Sequence, residues 1–165
     1  MRRLLLLAPL VLIACHRQAP QPPAGDQQGK HAAGSPARAR SPSQQAAEKA
    51  SREDAAGAAD VLRHYYSLIE AGNYDDAWKM RSGGKHGIDP QQFAAHFKAY
   101  ESYHSQVGGP TQPVRADDWI YVEVPVMTTG RFIGGKAFGS TGSVTLRRPA
   151  PGRAADEPGW HIYTG

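Results

Sequence analysis

Residues 119–128 read WIYVEVPVMT, and the strict alternation of this stretch decides the fold. Its even-numbered positions carry only aliphatic side chains until Thr128 ends the row, whereas its odd-numbered positions are mixed in character. Because successive side chains of a β-strand point to opposite faces, the pattern predicts a strand with one buried and one exposed face. The predicted buried face consists of Ile120, Val122, Val124 and Val126.

Further strands are predicted on both sides of this stretch. Residues 143–148 and 160–163 combine β-branched and aromatic side chains, which favours strands. A weaker strand is predicted within 104–114, where Pro110 and Pro113 restrict it to the edge of a sheet. The second half of the chain is therefore predicted to form an antiparallel sheet.

The part before the sheet has helical periodicity. Ser51 and Asp54 have the spacing of a capping box, so the first helix is predicted to begin at Ser51. Gly72 is predicted to end this helix, and Asn73 to cap a short second one. Apolar residues recur at helical spacing in the first helix: Ala55, Ala58, Leu62, Tyr65 and Ile69.

A third helix start is predicted from a compact local signal. Asp89 has the side chain of a helix cap, Pro90 fits the first helical position, and Gln92 fits the third. Since the helices come first and the strands later, the predicted fold class is α+β, with the helices on one face of the sheet. The predicted domain covers residues 51–165.

Several motifs of this domain resemble those of nuclear-transport-factor-two-like proteins. The motifs are Gly72-Asn73-Tyr74-Asp75-Asp76-Ala77-Trp78, Val124-Pro125-Val126, Ser143–Arg148 and Trp160–Tyr163. The resemblance implies a cone of three N-terminal helices packed on a curved antiparallel sheet, the SnoaL-like roll, with a pocket at its wide end. The family includes ketosteroid isomerase, an epoxide hydrolase and binding domains without chemistry, so the fold alone leaves function open.

The N-terminus has the features of an export signal. Two arginines precede the apolar residues 4–13, and Leu12-Ile13-Ala14-Cys15 follows without a gap. This ending resembles the lipobox of bacterial lipoproteins. The resemblance implies a signal peptide over residues 1–14, cleavage before Cys15 and lipid attachment to the Cys15 sulfur. His16, rather than Asp, after the cysteine favours sorting to the outer membrane, facing the periplasm.

Residues 15–50 are predicted to form a disordered linker behind the lipidated cysteine. From His16 to Asp60 the sequence has no Val, Leu, Ile, Met, Phe, Tyr or Trp, so it has little to bury. The net charge of +4 over 165 residues does not indicate a nucleic-acid partner. Residues 54–165 carry 11 basic and 12 acidic side chains, which leaves the domain without a basic footprint.

Two groups of apolar side chains are candidates for binding. The first is an aromatic stripe on the helices that is predicted to line the pocket: Tyr65, Tyr66, Trp78, Phe97 and Tyr100. The second is a predicted interaction face on the outer side of the sheet: Trp119, Tyr121 and Met127. A second copy of the chain, packed back to back, is the partner that this outer face favours.

Glu123 is the one weak candidate for a catalytic group, because it is an acid in the middle of an apolar strand. If its face lines the pocket, it is a desolvated carboxylate; if the aliphatic face does, it is exposed and dispensable. The aliphatic face is the better one to bury, so the second arrangement is expected. The histidines have no metal-ligand spacing, and neither a metal nor a cofactor is expected.

The sequence therefore favours a membrane-anchored lipoprotein whose domain binds a small apolar ligand or an envelope protein without catalysis. Two alternatives remain. One is an isomerase- or hydrolase-type enzyme in the same cone, and the other is a dimerising interaction module. The side of the sheet on which Glu123 lies discriminates among them.

Overall fold

The computed structural model describes residues 40–82, 88–153 and 158–164. Within them lie three helices, α1 (Pro42–Glu70), α2 (Tyr74–Lys79) and α3 (Pro90–Phe97). They are followed by five strands, β1 (Tyr100–Val107), β2 (Val114–Ala116), β3 (Trp119–Phe132), β4 (Ala137–Pro149) and β5 (His161–Thr164). The predicted fold class, helices packed on a curved antiparallel sheet, is confirmed.

The sheet has the order β1-β3-β4-β5, and the short β2 pairs with the beginning of β3. The prolines at 110 and 113 separate β1 from β2, so the single edge strand predicted there is split in two. β3 and β4 are longer than predicted because their ladder continues to the pair Arg131↔Ala137. The backbone bonds of a ladder do not depend on apolar alternation, which fades beyond Val126.

The inner face of β3 is the one that the alternation predicted. Val122, Val124 and Val126 are buried, whereas the Glu123 side chain is exposed. Small side chains on α1, among them Ala58 and Ala59, are fully buried in the same core and let the helix backbone approach the sheet. The aliphatic core is completed by larger fully buried side chains: Leu62, Leu146 and Ile162. Burial of each such side chain stabilises the fold by about 1.5–3 kcal/mol.

The predicted start of α1 is wrong. The helix begins at Pro42, and the Ser41 hydroxyl accepts a hydrogen bond from the Gln44 backbone amide while the Gln44 side-chain oxygen accepts one from the Ser41 backbone amide. Asp54, the predicted capping partner of Ser51, is instead held by Arg148 of β4, with N–O distances of 3.0 and 2.6 Å. The helix begins nine residues before the predicted start because Pro42 fits the first helical position and the following residues favour helix.

Residues 42–50, expected in the linker, are thus helical, and 15–39 lie outside the described residues. The first buried residue of α1 is Ala55, so the helical turns before it add length without adding core. The boundary at residue 51 stays a prediction. None of the described helices is long and apolar enough to cross a membrane.

The two short helices begin as predicted. Asn73 precedes α2, although its side chain makes no capping hydrogen bond. Asp89 caps α3: its carboxylate accepts from the Gln92 amide at 2.8 Å, and the Gln92 side chain accepts from the Asp89 amide at 3.2 Å. The loop predicted at Gly83, Gly84 and Gly87 lies outside the described residues. Aromatic side chains of α2 and α3 pack in the same core as the buried residues of the sheet.

Candidate functional site

A cavity of about 420 Å³ lies between α1, α3 and the inner face of the sheet. Most of its wall is aromatic. Two rings come from each of α1, α3 and β1, in that order: Tyr65, Tyr66, Phe93, Phe97, Tyr100 and Tyr103. Phe138 of β4 adds a further ring.

The cavity exists because the inner face of the sheet changes character along its length. Val122 pairs with Leu146, and this part is filled by aliphatic side chains. Further along, Val126 faces Gly142, and Thr128 faces Ser140. These smaller groups do not reach the helices, so space is left beneath the tyrosines of α1. A second hollow of about 200 Å³ adjoins there, bounded by some of the same residues.

The rings contact one another edge to face and stack at the wall. The centroid distance is 5.0 Å between Phe93 and Phe97, and 5.3 Å between Phe97 and Tyr103. The rings of Tyr100 and Phe138 lie 4.9 Å apart. Such pairs favour these offset geometries, and each contributes about 0.5–1.5 kcal/mol beyond its buried area. The wall is therefore a preformed aromatic surface.

Gly130 makes room for this wall. It lies on β3 between Tyr103 of β1 and Phe138 of β4. A Cβ atom at this position would come within 2.0 Å of the Ser102 carbonyl oxygen and 2.8 Å of the Phe138 ring. A residue without a side chain is thus required for the two neighbouring rings to lie over the strand.

Arg81 is the charged group of the cavity wall, and only 5% of its surface is exposed. The segment around it is pinned to β5: the Ser82 amide donates to the Ile162 carbonyl, and the Ile162 amide donates to the Met80 carbonyl, both at 2.9 Å. Successive side chains of such an extended segment point to opposite sides. Arg81 accordingly enters the cavity, while the Ser82 hydroxyl accepts from Arg147 at 3.1 Å.

The guanidinium of Arg81 is only partly satisfied. Its Nη1 donates to the Tyr65 hydroxyl at 3.1 Å, and its central carbon lies 5.7 Å from the centroid of the Phe93 ring. Its buried Nε has no hydrogen-bond acceptor among the residues that the structure describes. Among the described residues no carboxylate forms an ion pair with it. The cavity thus holds a cation that lacks a counter-charge within this part of the chain.

The predicted pocket residues come together with one exception. Tyr65, Tyr66, Phe97 and Tyr100 line the cavity. Trp78 does not; it is buried behind the wall, with its ring 5.4 Å from that of Phe93.

Sequence reasoning missed several lining residues of the site, and Tyr103 and Arg81 are the two that most affect its chemistry. Tyr103 belongs to β1, which begins earlier than predicted and has a bulge that also turns Tyr100 inward. An aromatic pair at 100 and 103 is a signal that supports this strand in retrospect. Arg81 gave no signal, because a basic residue after a short helix is ordinary at a helix C-terminus.

Glu123 lies on the outer face of the sheet, away from the cavity. Its backbone pairs with Thr111: the Glu123 amide donates to the Thr111 hydroxyl at 3.0 Å, and the Thr111 amide donates to the Glu123 carbonyl at 2.8 Å. The Glu123 side chain is exposed, as expected from the sequence. Among the described lining residues of the cavity there is no carboxylate.

The outer-face candidates do not form one patch. The Trp119 ring is covered by Arg147, whose guanidinium carbon lies 4.0 Å from its centroid, and by Arg153 at 4.6 Å. Tyr121 lies beside these groups. Met127 is 40% exposed and lies six residues further along the strand, about 20 Å from Tyr121. Dimerisation through this face stays a prediction.

Another hollow of about 450 Å³ lies between the start of α2 and the end of α3. Two of its charged groups pair with each other at the surface. Lys79 donates to the Asp76 carboxylate at 2.7 Å, and this hydrogen bond lowers the pKa of Asp76 and raises the pKa of Lys79. The aromatic cavity is the better candidate site because its polar group is buried and incompletely paired. Within the described ranges no three His, Cys, Asp or Glu side chains are grouped to hold a metal ion.

Comparison with known proteins identifies no family for this chain: neither a protein-family model nor a curated protein matches it. The solved structures that are similar to it include two from bacteria. The Kfla4162 protein from Kribbella flavida has 13% identity over 68% of this chain and 88% of its own, with a TM-score of 0.48. A putative calcium/calmodulin-dependent protein kinase type II association domain from Thiobacillus denitrificans has 16% identity over 64% and 92%, with a TM-score of 0.39. Neither likeness bears on function.

The buried tyrosines make the domain sensitive to alkali. Burial raises the pKa of Tyr65 and Tyr66, and it raises the pKa of Tyr103 to about 12. An unfolded tyrosine ionises near pH 10, so above that pH the unfolded chain binds fewer protons than the folded one. The tyrosine contribution to stability is complete below about pH 10 and is lost as the pH rises toward about 12.

We expect the free energy of unfolding, measured with urea at a series of pH values, to fall above about pH 10. Tyrosinate absorbance should rise in step with unfolding. Tyr103→Phe should show a smaller fall than the wild-type chain, since phenylalanine has no proton to lose. Equal alkaline losses in the two chains would contradict the assignment of Tyr103 as a desolvated phenol.

Proposed function

We propose that this chain is a lipid-anchored envelope protein whose α+β domain binds a small, largely apolar ligand without catalysis. The aromatic cavity is the observation that carries this proposal. Its volume of about 420 Å³ lies within the range of small-molecule sites, which is about 300–1,000 Å³. Like those sites, it combines an apolar wall with a few polar groups. Ring surfaces of this kind suit a flat or hydrocarbon-rich molecule.

Binding is preferred to catalysis because of where the acids lie. An isomerase of this kind needs a carboxylate base in an apolar pocket. Glu123 is on the other side of the sheet, and the described part of the cavity wall has no acidic side chain.

The motif order that resembles nuclear-transport-factor-two-like proteins supports a cone with an internal pocket, and membership of that family is part of the proposal.

The anchoring half of the proposal rests on residues 1–15, which lie outside the described residues. The basic start, the apolar stretch and Leu12-Ile13-Ala14-Cys15 are in the order that lipidation and cleavage require. One acyl chain holds a protein only marginally on a bilayer, whereas several hold it firmly. A lipidated Cys15 at the outer membrane would place the domain in the periplasm.

The ligand-binding half is tested with a neutral aromatic probe, N-phenylnaphthylamine, excited directly so that tryptophan emission does not contribute. The full chain should bind it saturably. Thr128→Trp places a large side chain in the cavity and should weaken binding of the probe about tenfold or more. The probe would then have to overpack the occupied cavity, which costs about 1–3 kcal/mol. Thr129→Trp is the matched control, since Thr129 is exposed and faces away from Thr128.

Both variants keep the apolar N-terminal stretch, so any binding there cancels in the comparison. Circular dichroism establishes that each variant is folded. Equal affinity of Thr128→Trp and Thr129→Trp for the probe would show that the cavity is not the binding site, and absence of saturable binding to the wild-type chain would refute the proposal.

The anchor is tested by Cys15→Ser. Oxygen cannot replace the thiolate in lipid transfer, so this variant should remain an uncleaved precursor that takes up no labelled palmitate in bacterial cells. His16→Ser changes the neighbouring residue without removing the sulfur and should be labelled like the wild-type chain. Normal processing and labelling of Cys15→Ser would contradict lipid attachment at this residue.

A further inference from the structure

The incompletely paired guanidinium of Arg81 in the cavity indicates which class of ligand the site binds. Arg81 is 95% buried, since only 5% of its surface is exposed. A buried charge without a counter-charge costs several kcal/mol, so such groups are ordinarily paired. Here the described protein groups around it are the Tyr65 hydroxyl and the Phe93 ring, and neither is anionic. The fold keeps a cation where no described side chain neutralises it.

The position of Arg81 within the cavity is also informative. Ile88 and His96, which line the same cavity, are exposed and mark its open side. Tyr65 and Phe93 are buried and, with Arg81, form its closed end. A ligand that reaches Arg81 must therefore have passed the aromatic wall, with its apolar part left against the rings.

The hydrogen-bonding capacity of the closed end suits an anion with two oxygens. An arginine has five N–H donors in a planar fork, which matches a carboxylate in a bidentate arrangement. One donor is used on the Tyr65 hydroxyl, and the Nε donor has no acceptor in the described part of the chain. Because the Tyr65 oxygen accepts from Arg81, its own proton is free to be donated to a second oxygen of the same anion.

We infer that the ligand is an organic monoanion, a carboxylate or sulfonate on an aromatic or hydrocarbon body, whose charged group pairs with Arg81. This inference rests on the proposed function and specifies its ligand class. A single negative charge neutralises the one buried cation, whereas a multiply charged phosphate would leave excess charge among aromatic rings. A neutral ligand would supply no counter-charge to the guanidinium.

The test uses two probes of the same shape, naphthoate and its neutral amide naphthamide, each competing with N-phenylnaphthylamine for the full chain. The wild-type chain should bind naphthoate about tenfold or more tightly than naphthamide, as expected for a charge-assisted, bidentate hydrogen bond. Arg81→Met should abolish this preference, and Arg81→Lys should retain part of it because it keeps the charge but loses the fork.

Arg115→Met is the matched control. Arg115 is an exposed arginine of β2 that donates to the Asp117 carbonyl and does not line the cavity, so its loss should leave the preference for naphthoate unchanged. The Arg81→Lys chain and the comparison of the two probes on the wild-type chain keep the test decisive if Arg81→Met does not fold.

The outcomes separate the two proposals. If N-phenylnaphthylamine binds but naphthoate and naphthamide compete equally, the cavity is a ligand site and the inference about an anion is overturned. If the preference exists but survives in Arg81→Met or disappears in Arg115→Met, Arg81 is not the anchor and the inference is overturned. If the neutral probe does not bind at all, the proposed function fails, and the inference fails with it.

Discussion

The rest of the structure depends on the register in which β3 lies between α1 and solvent. Val122, Val124 and Val126 point inward and are buried, and the intervening side chains point outward. A shift of one residue would expose the valines and bury Glu123. The small side chains of α1, such as Ala58, let the helix approach this face closely. The aliphatic core, the orientation of the antiparallel pair β3 and β4, and the position of Glu123 outside the cavity all follow from that register.

The cavity follows from the point at which the inner row of large side chains ends. At the pair Thr128↔Ser140, just beyond Val126, both facing side chains are small and polar, while the helices still present large rings above them. The bridge between Arg81 and Ile162 then fixes a guanidinium at the closed end of this space. Aliphatic packing supplies the stability of the domain, and the unfilled end supplies its capacity to bind.

Sequence reasoning succeeded where the determining interactions are local or periodic. The alternation of 119–128 identified the buried face, and the Asp89 capping box identified the start of α3 within its own four residues. Sequence reasoning failed where contacts between distant parts of the chain determine the local structure. Asp54 forms an ion pair with β4 instead of capping a helix, and the inward position of Tyr100 depends on a bulge. Arg81 becomes a site residue only through its pairing with β5, which no local pattern encodes.

The central claim is that the inner face of β3 is packed by buried side chains up to Val126 and borders the open cavity at Thr128. This claim is tested most directly by cysteine accessibility. Single cysteines are placed at 124, 128 and 129 in a chain that carries Cys15→Ser, which removes its one native thiol. We predict that Val124→Cys does not react with a thiol reagent, that Thr128→Cys reacts and is protected by N-phenylnaphthylamine, and that Thr129→Cys reacts without protection. Equal protection at 128 and 129, or equal reactivity at 124 and 128, would contradict the account.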